Sequence, residues 1–300
     1  MYLKRKKIGD TLLLLPALII LFIIEFIPMI YGLILSFMNI NLNKPYLENK
    51  FIGLQNYAYL LSKGEFYHSI LITFTIAFFC LLIEFVLGFL IAMMLNRQSQ
   101  SGKASTAMGF FRGVLFTPNM IMSVIAGTIW FYMYDMNYGM ITYLFELLGL
   151  PSINIIGTAE TVIPAIIVID VWQSTPMVML LLSAGLKSID PAYYEACSID
   201  GASAWQKIRY VTLPLLKPVL AVTFCLRSMD VLRIFDTVFV TSKGGPGNVS
   251  EVMSLYVYRS AFTSAQTSRG SAGAIIIAAI VFVISILNMK YISGDVEQQS

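Results

Sequence analysis

Apolar residues fall in long runs along this chain, and short polar stretches between them hold most of the charge. The first run extends from about Thr11 to Phe37, behind the basic cluster Lys4-Arg5-Lys6-Lys7. Later runs cover roughly Tyr67–Leu95, Gly113–Tyr134, Thr161–Leu186, Val219–Val240 and Ser271–Met289. Each has the roughly 20 residues that a helix needs to cross the hydrocarbon of a bilayer. The first is too long for the apolar core of a signal peptide and lacks a small-residue cleavage site, so it reads as a membrane helix. The pattern predicts an all-α integral membrane protein of about six transmembrane helices, with both termini on one side.

Composition agrees. Apolar residues make up 57% of the 300 and charged residues 12%, against about 45–50% and 25% in soluble domains. The net charge of +3 is too small to argue for nucleic acid. Cys80, Cys197 and Cys225 have no metal-like spacing, and His68 is the only histidine. Metal or nucleophilic chemistry therefore has little to build on, and no metal site is expected.

Basic residues orient the spans. Twelve Lys and Arg, among them Lys4, Arg97, Lys103, Arg112, Lys187, Lys207 and Lys290, lie on the side of the termini; six, such as Lys44 and Lys243, lie opposite. The bias places both termini, and the polar island between the fourth and fifth runs, in the cytoplasm.

That island has a structure of its own. Asp190-Pro191 opens a short helix to Ser198, since Asp caps free amides and Pro is tolerated at the first helical position. Gly201 allows a sharp turn. A second short helix carries Ala204, Ile208 and Val211 on one face, and Pro214 and Pro218 end its pattern. A helix–turn–helix between spans offers a soluble partner a docking surface; the plainer alternative is an interfacial hairpin with no partner.

The run Glu195-Ala196-Cys197-Ser198-Ile199-Asp200-Gly201, nine residues, then Val211-Thr212-Leu213-Pro214 resembles the EAA loop of ABC-importer permeases. Cys197 stands for the second Ala of that pattern and Val211 for Ile. Phe51-Ile-Gly-Leu-Gln-Asn-Tyr57, Phe116-Thr-Pro118 with Trp130, Val171-Trp172 with Thr175-Pro176, and Gly244-Gly-Pro-Gly247 resemble segments of the sugar and polyol branch, the maltose-type and glycerol-phosphate-type permeases. The resemblance covers about Pro16 to Ile292. It implies a type I importer permease core over residues 67–292, with a cytoplasmic coupling loop at 187–218. The first helix and an external loop occupy 1–66, and 293–300 form a cytoplasmic tail.

What the resemblance implies for function is specific. Glu195, Ala196, Asp200, Gly201, Ala202 and Pro214 would seat in a cytoplasmic ATPase and couple it to the spans. The partners would be a second, similar permease, two ATPase subunits, an extracytoplasmic solute-binding protein and the lipid of a bacterial cell membrane. The solute would be a di- or oligosaccharide, with polyols or glycerol-3-phosphate as the alternative. Matching the sugar-contacting positions of the maltose-type permeases gives Ser123, Asp170, Gln173, Ser174, Met177, Asp230, Val231 and Ile234. Asp170, Gln173 and Ser174 suit sugar hydroxyls; Val231 and Ile234 are less polar than such a site asks.

ATP chemistry is expected elsewhere. A phosphate loop needs Gly, four residues, then Gly-Lys-Ser/Thr, and neither Gly102-Lys103 nor Lys243-Gly-Gly-Pro-Gly247 fits. The chain is therefore expected to be no enzyme and to hold no cofactor, with ATP and magnesium on the partner subunits. A self-sufficient secondary transporter should show internal repeats and a coupling-ion site, and an intramembrane enzyme a nucleophile–base pair; neither pattern is found.

Charges inside apolar runs are costly and must face protein or water. They are Glu25, Glu84, Asp170, Arg227, Asp230, Arg233 and Asp236. The last four alternate in sign three residues apart, which predicts a ladder along the fifth span. Two uses are open for it, mutual neutralisation and lining of the solute path, and both can hold for different rungs.

Overall fold

The computed structural model describes residues 14–41, 50–100 and 106–297. The basic run Lys4–Lys7, Lys44 and Lys103 lie outside them. The described residues fall into two compact units, one drawn from Met1–Phe66 with Tyr256–Ala279, the other from Tyr67–Leu255 with Ile280–Ser300.

In the first unit, α1 (Leu14–Ser36) is strongly apolar apart from Glu25 and exposed from Leu14 to Tyr31, the mark of a span in contact with lipid or another chain. A wide π turn at Phe22–Phe26 interrupts it and ends two residues before Pro28. Widening moves the carbonyl that the proline ring would strike and absorbs the missing donor. A two-residue antiparallel ribbon follows, β1 (Met38–Asn39) on β2 (Lys50–Phe51), and then α2 (Gln55–Leu61). Asn56 and Tyr57, prominent in the sequence, secure this corner. Asn56 Nδ2 donates to the carbonyls of Ser36 and Met38, each at 2.8 Å, and Tyr57 OH lies 2.7 Å from Ser36 Oγ. Ile40 N–H donates to Ser268 Oγ, and the buried Phe66 ring meets the half-covered Tyr256 ring at a tilt of 52°, with centroids 5.5 Å apart.

The remaining helices are α3 (Gly64–Gln100), α4 (Thr106–Met120), α5 (Ser123–Met133), α6 (Met140–Leu147), α7 (Ala159–Lys187), α8 (Pro191–Ile199), α9 (Ala204–Lys207), α10 (Leu213–Val231), α11 (Asp236–Thr241), α12 (Met253–Tyr258) and α13 (Thr267–Glu297). Four of the six expected spans are long apolar helices: α1, Gly64–Asn96 within α3, α7, and Thr267–Lys290 within α13.

The third differs in form. Instead of one helix from Gly113 to Tyr134, the segments Gly113–Met120 and Ser123–Met133 meet at 99°. Pro118 has no N–H for the carbonyl of Val114, which weakens the last turn of α4, and Met122 is extended, with ψ of 141°.

The fifth differs too. Pro214 and Pro218 do not end the helical pattern; α9 passes through a π turn at Ile208–Thr212 into α10, with Pro214 in its first turn and Pro218 inside it. As at Pro28, the wide turn ends just before the proline. The helix then stops at Val231, nine residues short of the expected end at Val240, and α11 begins after a turn at Leu232–Phe235. Lys217, Arg227 and Asp230 break the apolar run of α10.

The core of the second unit joins α3, α7 and α10 through Ala92, Leu95, Val178, Leu182, Leu186 and Leu216. A second cluster gathers Tyr134, Ile155, Ala165 and Ile169 around Trp130. Trp130 meets the Trp172 ring edge-on at 5.7 Å, so both pack against each other. Small residues let helices approach: a Cβ on Gly127 would sit 3.5 Å from the backbone of Thr237 on α11.

Candidate solute cavity and coupling hairpin

The break between α4 and α5 is held from α7. Gln173 Nε2 donates to the carbonyl of Ile121 at 2.7 Å, and Asn119 Nδ2 donates to the backbone carbonyl of Gln173 at 3.2 Å. Gln173 also reaches Ser123 Oγ at 3.4 Å. Non-helical backbone within a span is tolerated where it is buried in protein or lines a cavity. Here it lines one.

The cavity has a volume of about 490 Å³ and is bounded by this break, by α7, and by the turn from α10 to α11. Ser123, Asp170, Gln173, Ser174, Asp230 and Ile234 all line it. Met177 and Val231 are not in the lining; Val231 is buried among helices and Met177 is half-covered. The offset from Gly244-Gly245-Pro246 that placed Val231 crosses the turn at Leu232–Phe235, whereas Met177 lies on the unbroken helix α7. Arg227, Arg233 and Asp236, ladder residues for which lining of the solute path was one of two open uses, also line the cavity, and so does Asn119, which the sequence did not single out.

The charge ladder does not form. Arg227 turns away from Asp230 and pairs instead with Glu84 of α3 and Asp170 of α7. Its Nε lies 2.7 Å from one Glu84 oxygen, its Nη2 lies 3.0 Å from the other, and Nη2 also donates to Asp170. All three residues are buried. Only Asp230 and Arg233 keep a contact expected from the spacing, at 3.3 Å and largely exposed. Asp236 belongs to the first turn of α11, beyond the break. The reason is energetic: a bidentate guanidinium–carboxylate contact removed from water outweighs a solvated neighbour on the same helix. The Cys80 thiol and the Glu84 and Asp170 carboxylates lie within 4.8 Å of one another, but the guanidinium already stands among the carboxylates as their counter-ion.

The second site is the hairpin of α8 and α9. Asp190 caps α8, accepting from Ala192 N–H at 2.9 Å, with Pro191 in the first turn. At the other end Gly201 has φ of +73°. Its N–H donates to the Ser198 carbonyl and that of Ala202 to the Cys197 carbonyl, the paired closure of a Schellman turn. Ser203 and Gln206 then form a capping box at the start of α9, a Ser-x-x-Gln signal legible in the sequence but missed. Lys207 Nζ donates to Ser198 Oγ at 2.6 Å, and Tyr194 OH lies 3.1 Å from Thr212 Oγ1. Of the predicted apolar face, Ile208 and Val211 are half-covered, whereas Ala204 is exposed.

Glu195, Ala196, Asp200, Gly201 and Pro214 are exposed, and Ala202 is half-covered. Three large apolar side chains beside them are bare: Ile199 at 87%, Tyr210 at 73% and Trp205 at 69% exposure. Apolar surface rimmed by polar residues marks an interaction site.

Comparison with known proteins agrees with this architecture. The trehalose/maltose transport system permease protein of Thermococcus litoralis is 35% identical over 243 residues, covering 81% of this chain and 80% of that protein. The trehalose transport system permease protein of Mycobacterium tuberculosis is 32% identical over 93% of this chain and 87% of its own length. Among solved structures, a bacterial alginate ABC transporter in complex with an alginate pentasaccharide-bound periplasmic protein has a chain 25% identical, with a TM-score of 0.79 over 95% of this chain and 93% of that one. The family model for the binding-protein-dependent transport system inner membrane component matches residues 8–292. This chain is a member of that family.

Proposed function

We propose that the chain is the permease subunit of an ATP-binding-cassette importer for a di- or oligosaccharide, and that it forms the translocation path with a second, similar permease. The observation that carries this reading is the polar cavity at the broken helix, in a chain whose relatives are named for trehalose and maltose. Its volume of about 490 Å³ falls within the roughly 300–1,000 Å³ of small-molecule sites. Ser123, Ser174 and the side-chain amide oxygen of Gln173 offer both donors and acceptors, as a saccharide needs. Asp170 and Asp230 accept from hydroxyls, and Ile234 supplies an apolar wall. Asp170, Asp230 and Asp236 oppose Arg227 and Arg233 in the lining. That balance favours a neutral solute over glycerol-3-phosphate.

Glu195, Ala196, Asp200, Gly201, Ala202 and Pro214 form the coupling surface, with Ile199, Trp205 and Tyr210 as the apolar anchors of a docked ATPase pair. ATP and magnesium belong to those subunits, and an extracytoplasmic binding protein delivers the solute. The twelve-to-six distribution of basic residues supports cytoplasmic termini in a bacterial cell membrane.

The test is uptake by the source cell with and without this gene. Loss of saturable uptake of one labelled di- or oligosaccharide, restored by the gene, is expected. Unchanged uptake of all of them, or loss confined to polyols or glycerol-3-phosphate, would overturn the sugar reading.

A further inference from the structure

Glu84 is fully buried on α3 and lies outside the cavity lining, yet two atoms of Arg227 reach it. Arg227 and Asp170 do line the cavity, and they are joined to each other. The three helices α3, α7 and α10 are thus connected through one guanidinium, with Glu84 on its inner side and Asp170 on the side of the cavity. A guanidinium has its donors in a rigid plane. Two donors fixed on Glu84 therefore set the direction of the donor that meets Asp170. The carboxylate of Asp170 has two oxygens and several lone pairs. One oxygen is taken by Arg227, the Cys80 thiol of α3 lies within 4.8 Å of the same carboxylate, and Asp170 lines the cavity, where the hydroxyls of a solute can meet it.

Resting on the sugar reading above, we propose that Glu84 is a positioning residue for the solute site: it fixes Arg227, which in turn holds Asp170 at the orientation a neutral polyhydroxylated solute requires. With Glu84 neutral, Arg227 shifts its charge onto Asp170, pulls that carboxylate out of the solute's reach, and weakens recognition. A residue that only stabilised the helices would change the amount of transporter and its maximal rate in proportion, and would leave the half-saturation concentration where it was.

The experiment measures uptake of labelled trehalose, maltose and sorbitol by cells carrying the complete transporter, normalised to the amount of this chain in the membrane. E84Q is expected to raise the half-saturation concentration for the transported sugar by about two- to tenfold, in the range of one lost hydrogen bond. D170N should add less in the E84Q background than in the wild type, because both act through one guanidinium. R227K keeps the charge but loses the fork, and should raise the half-saturation concentration in the same direction. An unchanged half-saturation concentration in E84Q, with any rate loss matching the protein level, would overturn the proposal. So would failure of both E84Q and R227K to reach the membrane, which would make the cluster a folding element. Saturable sorbitol uptake without sugar uptake by the wild type would instead overturn the sugar reading and leave the Glu84 comparison readable on sorbitol.

Discussion

Lys207 Nζ donates to Ser198 Oγ across 2.6 Å and so ties the two short helices of the hairpin on either side of the turn at Gly201. With Tyr194 on Thr212 as a second tie, the hairpin keeps its shape without a buried core, since no residue of α8 or α9 is buried. A surface of this kind can pass force to α10 because α9 runs into it through continuous helical backbone.

Substitution at Gly201 tests the turn. A Cβ there meets nothing within 4 Å, but φ is +73°, so the cost is backbone strain alone, about 1–2 kcal/mol for a side chain in the left-handed region. Gly201→Val is expected to lower solute-stimulated ATP hydrolysis with normal membrane levels, and Gly201→Asn to do so less. Equal activity in both variants would show that the turn is not held in this conformation during coupling.

Glu195→Lys should uncouple transport. Glu195 is exposed on α8; the family resemblance implies a basic partner for it in the ATPase cleft, against which reversal of its charge would cost several kcal/mol. The spans hold themselves by their own backbone bonds, so insertion survives while co-purification of the ATPase or stimulated hydrolysis falls. Normal transport by this variant would place coupling elsewhere.

Gln173→Ala reaches further than the solute. Its Nε2 holds the Ile121 carbonyl in the break between α4 and α5, and losing such a hydrogen bond costs about 0.5–1.5 kcal/mol. Both a lower melting temperature in detergent and weaker apparent solute affinity are expected. Weaker affinity with an unchanged melting temperature would mean that the break does not depend on this bond.

Close approach of α7 and α10 is checked at Gly185, where a Cβ would lie 2.6 Å from Leu216 Cδ1 and 3.0 Å from both γ-carbons of Val219. Gly185→Ala should destabilise by about 1–3 kcal/mol through overpacking. Combined with Leu216→Ala, the two effects should be less than additive, since the second removes the atom the first strikes. Simple additivity of the two melting shifts would count against the contact.

Purified alone, the chain is expected to bind no ATP, because no phosphate loop is present. Equilibrium dialysis with labelled ATP is the measurement, and saturable binding would move the nucleotide site into this subunit.

The long helices and the hairpin were legible in the residues themselves. Lipid demands about 20 apolar residues per span, so α1, α3, α7 and α13 announce themselves by length. Asp190-Pro191, Gly201 and the Ser203–Gln206 box act on backbone only a few residues away, which is why local spacing is enough to read them. Arg227 is the opposite case. Spacing of three offered it Asp230 on its own helix, yet its partners are Glu84, 143 positions away, and Asp170, 57 positions away. No periodicity carries that information, because burial against other helices, not position along one, decides which carboxylate can meet it out of water. The same holds for the cavity. Pro118 could be seen in the sequence as a weak point, but the 99° bend beside it is braced by Gln173 of α7, and a brace supplied by another helix exists only once the chain has packed.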